Sequence, residues 1–229
     1  MFFYIVHFMT HHIQLAYYYL FDSTTICVTI MKMTPEEFRH QKCQTLQGVD
    51  LSRKGCIDDA IKLLVEVINN RDEFVTTSSC SGRVILFCEN IAEGHKKGCK
   101  WLFTSHDSVD IQELINSVDP AEGNLVFKYE PLILHIRCFT LDHAKLLHTC
   151  ALEAGFRNSG ITLGKHGKVM LAVRSCMGLE VPISENGELL VSHKYLEFLV
   201  RKANEKVEEN QSRTERLLTC VKNAFEVNT

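Results

Sequence analysis

The chain has 229 residues, of which 45% are hydrophobic and 23% charged, with a formal net charge of −3. That length and apolar content suffice for a sizeable core, and the small negative charge excludes binding of nucleic acid by bulk electrostatics, so an RNA partner would have to meet a local basic patch. The ten cysteines contain no C-x-x-C pair and the histidines no H-E-x-x-H, so no structural metal is expected and separate thiols in a reducing compartment are.

Residues 1–30 are an atypical extension with one formal charge, Asp22, and an aromatic run Tyr17-Tyr18-Tyr19. They lack the basic start and small-residue cleavage site of a signal peptide. His7, Thr10, His11, His12 and Gln14 interrupt what would otherwise be a membrane span. The segment reads as an upstream start assigned in error, with Met31 or Met33 as the true start, or as a disordered extension. Residues 31–229 read as a single catalytic α+β domain.

Pro35-Glu36-Glu37 opens a helix that runs to Leu46, with acids in its first turn. After a loop over 50–55, Ile57, Ile61, Leu64, Val65 and Ile68 share one helical face. Phe74 to Thr77 and Val84 to Phe87 read as two strands, with Ser78 to Arg83 as a glycine-containing turn between them. Residues 93–100 read as a hairpin tip, followed by a strand at Trp101-Leu102-Phe103. Asp107 is the expected cap of a helix carrying Ile111, Leu114 and Ile115. Leu125 to Tyr129 and Leu132 to Cys138 read as strands separated by Glu130-Pro131. Thr140 caps a helix that ends at Gly155, with Leu141, Ala144, Leu147, His148, Ala151 and Leu152 inward. Short strands follow around Ile161, at Val169 to Val173 and at Leu179 to Ile183, with a hairpin at Gly187. A long helix from about His193 to Phe225 closes the chain. Asn210, Gln211 and Ser212 break its apolar stripe, which predicts a kink or a solvated middle.

The strands fall in hairpins rather than β-α-β alternation, so the expected fold is a compact, largely antiparallel α+β sheet with packed helices. The helix–Phe74–Ser81-Gly82–strand order recurs as helix–Phe156–Ser159-Gly160–strand. This suggests a degenerate internal repeat with two Ser-Gly turns facing each other, and chance similarity is the competing account. No G-x-G occurs, which excludes a Rossmann-type dinucleotide or methyltransferase loop.

The run Thr76-Thr77-Ser78-Ser79-Cys80-Ser81-Gly82-Arg83 places six hydroxyl or thiol side chains before a glycine and an arginine. Such a run suits an anionic or zwitterionic ligand through hydroxyl donors, backbone N–H groups and the two-point geometry of Arg83. A wet Ser-rich hairpin loop is the competing reading. Cys80 as a nucleophile would need a neighbouring base and a lowered pKa, and a packing thiol explains it with less. Asp50-Leu51-Ser52-Arg53-Lys54-Gly55 precedes a helix start and suits an anion, or is a solvated charged loop. Glu130 and His135 flank an apolar strand, and a pocket-facing His135 could move a proton near neutral pH. A satisfied core histidine is the alternative. Arg157 and Ser159, followed by Lys165, Lys168 and Arg174, surround an aromatic as an RNA-contacting edge would, or are ordinary hairpin lysines and arginines.

In their shared order, Asp50 to Gly55, Thr76 to Arg83, Glu130-Pro131 with His135, Gly155 to Ile161, Ala172 to Ser175 and Val181-Pro182 resemble the tRNA wybutosine-synthesizing protein 3 family. The likeness runs from about residue 34 to 226. It implies a non-Rossmann α+β fold and a cytoplasmic tRNA methyltransferase. It implies methyl transfer from S-adenosylmethionine to N4 of the 7-(3-amino-3-carboxypropyl)-4-demethylwyosine base at position 37 of phenylalanine tRNA, in the anticodon loop. On that footing Ser78, Ser79, Cys80, Ser81 and Arg83 would hold the donor or the base's carboxylate, and Ser52 and Lys54 an anion such as a tRNA phosphate. Arg157, Ser159 and Arg174 would line the opposite wall. His135 would accept the proton, and Asp50 would orient a partner. The rival classes are a non-catalytic RNA- or nucleotide-binding module and a Cys80 hydrolase.

Overall fold

The computed structural model describes residues 33–48, 55–89 and 99–227. The extension 1–30, the hairpin tip at 93–98 and the loop residues Asp50, Ser52 and Lys54 lie outside them. The chain folds as α1 (Pro35–Leu46), α2 (Asp59–Asn69), β1 (Phe74–Glu89), β2 (Lys100–Ser105), α3 (Ile111–Asn116) and β3 (Asn124–Cys138). α4 (Leu141–Glu153), β4 (Gly160–Leu163), β5 (Val169–Arg174), β6 (Leu179–Pro182), β7 (Ser184–Glu185), β8 (Glu188–Leu189) and α5 (His193–Val227) complete it. The main sheet is antiparallel throughout, in the order β2-β1-β3-β5-β4, with β6 also on β3. This is the expected non-Rossmann α+β architecture with a long C-terminal helix.

Helix starts obey local rules. Thr34 and Glu37 form a reciprocal capping box at α1, and the Thr140 side chain caps α4 as expected. α3 is capped by Asp110, whose carboxylate accepts from Gln112 N and Glu113 N, and not by Asp107. A carboxylate must sit at the residue just before the first turn to reach those two amides, and Asp107 is three residues too early. On α4, Leu141 and Leu152 are exposed and Cys150 takes an inward place instead. Ile57 is exposed because it precedes α2. Asn186 and Gly187 both adopt positive φ in the β7–β8 hairpin, as a two-residue primed turn requires.

The largest departure concerns the two predicted turns. Ser78 to Arg83 lies inside β1, one strand of 16 residues, and Glu130-Pro131 lies inside β3, one strand of 15. The breakers are stacked side by side, with Gly82 opposite Pro131 and Arg83 opposite Glu130. On its other side β3 pairs with β6 through Tyr129 and with β5 from Ile133, so Pro131 falls in the gap between them. A missing N–H costs the sheet least there. The two Ser-Gly pairs therefore do not face each other as turns: Ser81-Gly82 is inside β1, and Gly160 begins β4 at the sheet edge.

Alternation slips at this level. The inward residues of β3 are Leu125, Phe127 and Tyr129, then Leu132, Leu134, Ile136 and Cys138. A regular strand would send those two sets to opposite faces, yet both pack on α5. The first set meets Leu196, Leu199, Val200, Ala203 and Val207, and the second meets Leu217, Val221 and Phe225. Gly82, at φ +110°, absorbs the slip in β1. A Cβ there would stand 3.0 Å from Glu130 O and 3.3 Å from Leu132 N.

α5 is one continuous helix, and Asn210, in the polar break of its stripe, is buried at 4% exposure. Its amide enters the defect between the strands: Nδ2 donates to Ser81 O at 2.8 Å, and Leu132 N donates to Oδ1 at 2.9 Å. The break is thus a buried docking point and not the solvated middle that the sequence predicts. Asn210→Ala orphans a buried carbonyl and a buried N–H, at about 1–3 kcal/mol for each. Urea denaturation is expected to show this loss, and Gly82→Ala a loss as well because it adds the clash at positive φ. An Asn210→Ala midpoint equal to wild type would contradict the bridge.

Candidate active site

The bulge at Thr77 decides what one sheet face presents. The β1–β3 register shifts between Thr76 and Ser78, and Thr77 Oγ1 donates to His135 O at 3.3 Å. Such an extra residue re-aims the next side chain. Ser78 Oγ then lies 2.8 Å from His135 Nδ1, and Arg174 Nη2 lies 3.1 Å from His135 Nε2. β1, β3 and β5 thereby bring three of the sequence-predicted residues together. A guanidinium can only donate, so Nε2 accepts, and Nδ1 carries the proton toward Ser78. The neutral ring agrees with the pKa direction: burial lowers it, and the Arg174 charge lowers it further.

Ser159 braces this group from the turn just before β4. Its hydroxyl donates to Phe156 O at 2.7 Å and accepts from Arg174 N at 3.1 Å. Arg157 is exposed in the same turn. Arg83 is already engaged. It pairs with Glu130 through both Nε and Nη2 at 2.8 Å, and its guanidinium lies 4.7 Å from the Trp101 ring centroid. Lys128 joins Glu130 at 3.3 Å and Glu180 at 2.9 Å. Burial pushes the Glu130 carboxyl up, and Arg83 and Lys128 outweigh it to leave the group below its ordinary value. Burial raises the Cys80 thiol, and the Gly82 backbone and Arg83 offset only part of that, which is the opposite of an activated nucleophile.

A second group lies three residues further along β1, about 10 Å at strand rise. Asp58 precedes α2 but makes no side-chain cap there. Its buried carboxylate instead accepts from Ser81 N at 2.8 Å and Ser81 Oγ at 3.1 Å. β2 pairs only with Val84 to Cys88 of β1, which leaves His106, just past β2, beside the free edge of Gly82. His106 Nδ1 is 2.9 Å from Gly82 O, 3.4 Å from Ser81 Oγ and 3.5 Å from Asp58 Oδ2. The ring lines a cleft of about 210 Å³ together with Ser81, Gly82, Tyr129, Asn210 and Thr214. Ligand atoms of Asp58, Cys80 and His106 fall within 4.8 Å of one another, so among the described residues this trio could hold an ion. Burial raises the Tyr129 phenol, which donates to Lys206 O at 3.1 Å.

The sequence reading missed Asp58, His106 and Asn210. Asp58 carried a faint signal, a carboxylate at a helix start. His106 carried none, because its partners are 24 and 48 residues distant. Among the described residues no helix is long and apolar enough to cross a membrane.

A family profile described as methyltransferase TYW3 matches residues 38–223. A tRNA wybutosine-synthesizing protein 3 homolog from Homo sapiens is 47% identical over 192 residues, covering 83% of this chain and 74% of that protein. Its namesake from Xenopus laevis is 46% identical over 193 residues, covering 83% and 77%. The PH1069 protein of Pyrococcus horikoshii has a similar solved structure, with a TM-score of 0.72 and 31% identity over 82% of this chain and 97% of that one. Together with the antiparallel sheet, these matches define the class as a methyltransferase built outside the Rossmann fold. The chain belongs to the methyltransferase TYW3 family.

Two outcomes follow from the charges. NMR titration of the His135 ring is expected to give a pKa below 6.5, and Arg174→Ala to raise it; an unchanged value in the variant would contradict the contact. Glu130, depressed in the fold, contributes stability above its unfolded pKa and loses it as pH falls through the folded one. Glu130→Gln should therefore cost stability at pH 7 but not at strongly acid pH. Equal losses at both, measured by denaturation, would contradict the pairing.

Proposed function

We propose that the protein is the S-adenosylmethionine-dependent tRNA methyltransferase of wybutosine biosynthesis that methylates N4 of the 7-(3-amino-3-carboxypropyl)-4-demethylwyosine base at position 37 of phenylalanine tRNA. The observation that carries this reading is the family match over residues 38–223, which spans the polar strand, His135 and Arg174. The donor supplies a methyl group on a reactive sulfonium. The protein's work is to align nitrogen, methyl and sulfur and to receive the nitrogen's proton.

The residues on hand fit both reactants. Each carries an amino-acid group, which calls for cations and hydroxyls. Ser78 and Arg174 supply them beside His135, exposed Arg157 adds a cation in the turn before β4, and Ser79, Cys80 and Ser81 continue the strand toward the cleft. Arg83 serves this wall through Glu130 and Trp101. Ser52 and Lys54 are assigned a tRNA phosphate, and Asp50 an orienting role. With Nε2 engaged by Arg174 and Nδ1 directed at Ser78, His135 suits the orienting of those two groups better than the proton-accepting role expected from sequence. An anticodon-loop base can be unstacked at low cost to reach such a site.

The test is methylation of phenylalanine tRNA from cells lacking the protein, read by mass analysis of its nucleosides. The expected product is the modified base with one added methyl group. Arg174→Ala should weaken use of the tRNA by about tenfold or more, as loss of a charged hydrogen bond does. Calorimetry that finds no S-adenosylmethionine binding in the presence of tRNA would overturn the transferase reading in favour of a non-catalytic RNA-binding module.

A further inference from the structure

We propose that His106, positioned by Asp58, is the catalytic residue that takes the proton from the nitrogen being methylated, with the adjoining cleft receiving the base. The inference rests on the methyl-transfer reading above and adds the identity of the base that completes it.

The hydrogen bonds settle the tautomer. Gly82 O offers only lone pairs, so the 2.9 Å contact places the proton on His106 Nδ1. Asp58 Oδ2 lies 3.5 Å from the same nitrogen. Nε2 makes no hydrogen bond to any described residue, which leaves it the nitrogen for a substrate. His106 is about a third exposed and lines the cleft. The comparison with His135 is direct. Both rings carry a proton on Nδ1, but Arg174 occupies His135 Nε2, whereas His106 Nε2 has no hydrogen-bond partner among the described residues.

Asp58 is equipped for the second half of the step. Its carboxylate is buried and fixed by two donors from Ser81, so it waits beside the imidazole that becomes positive. An orienting carboxylate of this kind stabilises the imidazolium without itself becoming protonated. Among the described residues, the other titratable groups at the cleft are Cys80 from β1, Tyr129 from β3 and Glu215 from α5. Burial raises the Cys80 and Tyr129 groups, which keeps both neutral beside the ring. The cleft, at about 210 Å³, is smaller than the roughly 300–1,000 Å³ of a whole-ligand pocket. It suits one flat ring system, with the remainder of the reactants along the polar strand.

The balance closes without a further reactant. The nitrogen lone pair forms the N–CH3 bond as the S–CH3 electron pair passes to sulfur, leaving a neutral thioether. The N–H proton goes to His106 Nε2, and the imidazolium returns it to water after product leaves.

The experiment is the single-turnover rate of the full chain with S-adenosylmethionine and tRNA lacking this methyl group, measured against pH. Wild type should rise with pH through the histidine range and level off. His106→Gln should lose about 100-fold or more, the typical worth of a general base, together with that rise. Donor and tRNA affinity should be retained. Imidazole added to His106→Ala should restore part of the rate, which no purely structural role predicts. Asp58→Asn should move the rise to lower pH by removing the charge that favours the imidazolium. A wild-type rate and profile in His106→Gln would overturn the role alone. Loss of wild-type activity on chelation, restored by zinc, would overturn it in favour of an Asp58–Cys80–His106 metal site. Absence of methyl transfer by the wild-type protein would overturn the functional reading and this role with it.

Discussion

A single side-chain amide joins the two halves of the fold. Asn210 stands where β1 and β3 cannot complete their ladder, and it replaces the missing pair with one donor and one acceptor of its own. Below it α5 packs on Leu132 to Cys138 of β3, and above it on Leu125 to Tyr129. Without that bridge, a buried carbonyl and a buried N–H would face apolar surroundings, a severe loss for a marginally stable protein. The defect also sets the site. Gly82 at positive φ turns its carbonyl to His106, and Ser81 beside it is gripped by Asp58. The irregular backbone that interrupts packing is therefore the backbone that presents the polar groups. Functional residues cluster at such places because regular strands offer no free carbonyls or amides to a neighbour.

Most of the local structure could be read from the chain itself. Thr140 and the α1 acids mark helix starts, the apolar spacing of Ile61 to Ile68 marks α2, and the absence of G-x-G excludes the Rossmann class. What failed was the reading of breakers. Ser-Gly and Glu-Pro each look like a turn when only neighbours in sequence are considered. Placed opposite each other in adjacent strands, each tolerates the other: Pro131 has no N–H to leave orphaned, and Gly82 has no Cβ to collide with Glu130 O. That compensation spans about fifty residues, so no local window contains it. The polar break at Asn210 failed for the same reason, since its partners are 78 and 129 residues away.

The site shows the same limit. The strand from Ser78 to Arg83 stands out by its polar composition, and His135 and Arg174 lie beside it. Their contacts were not recognisable. Arg83, by type an anion clamp, is paired with Glu130, and His135, by type a base, has Arg174 on its Nε2. Conversely, His106 stands alone in sequence and gains meaning only through Gly82 O and Asp58. Residue type suggests which chemistry is available, but it is the partner of each lone pair that assigns it.

The Arg83–Glu130 pair lies against Trp101, the chain's one tryptophan. An indole's emission follows the charge and water around it, so this protein carries its own optical probe at the edge of the polar strand. Any ligand that draws the guanidinium away from Glu130 or covers that face changes the light from a single, known position, without a label and without a competing tryptophan signal.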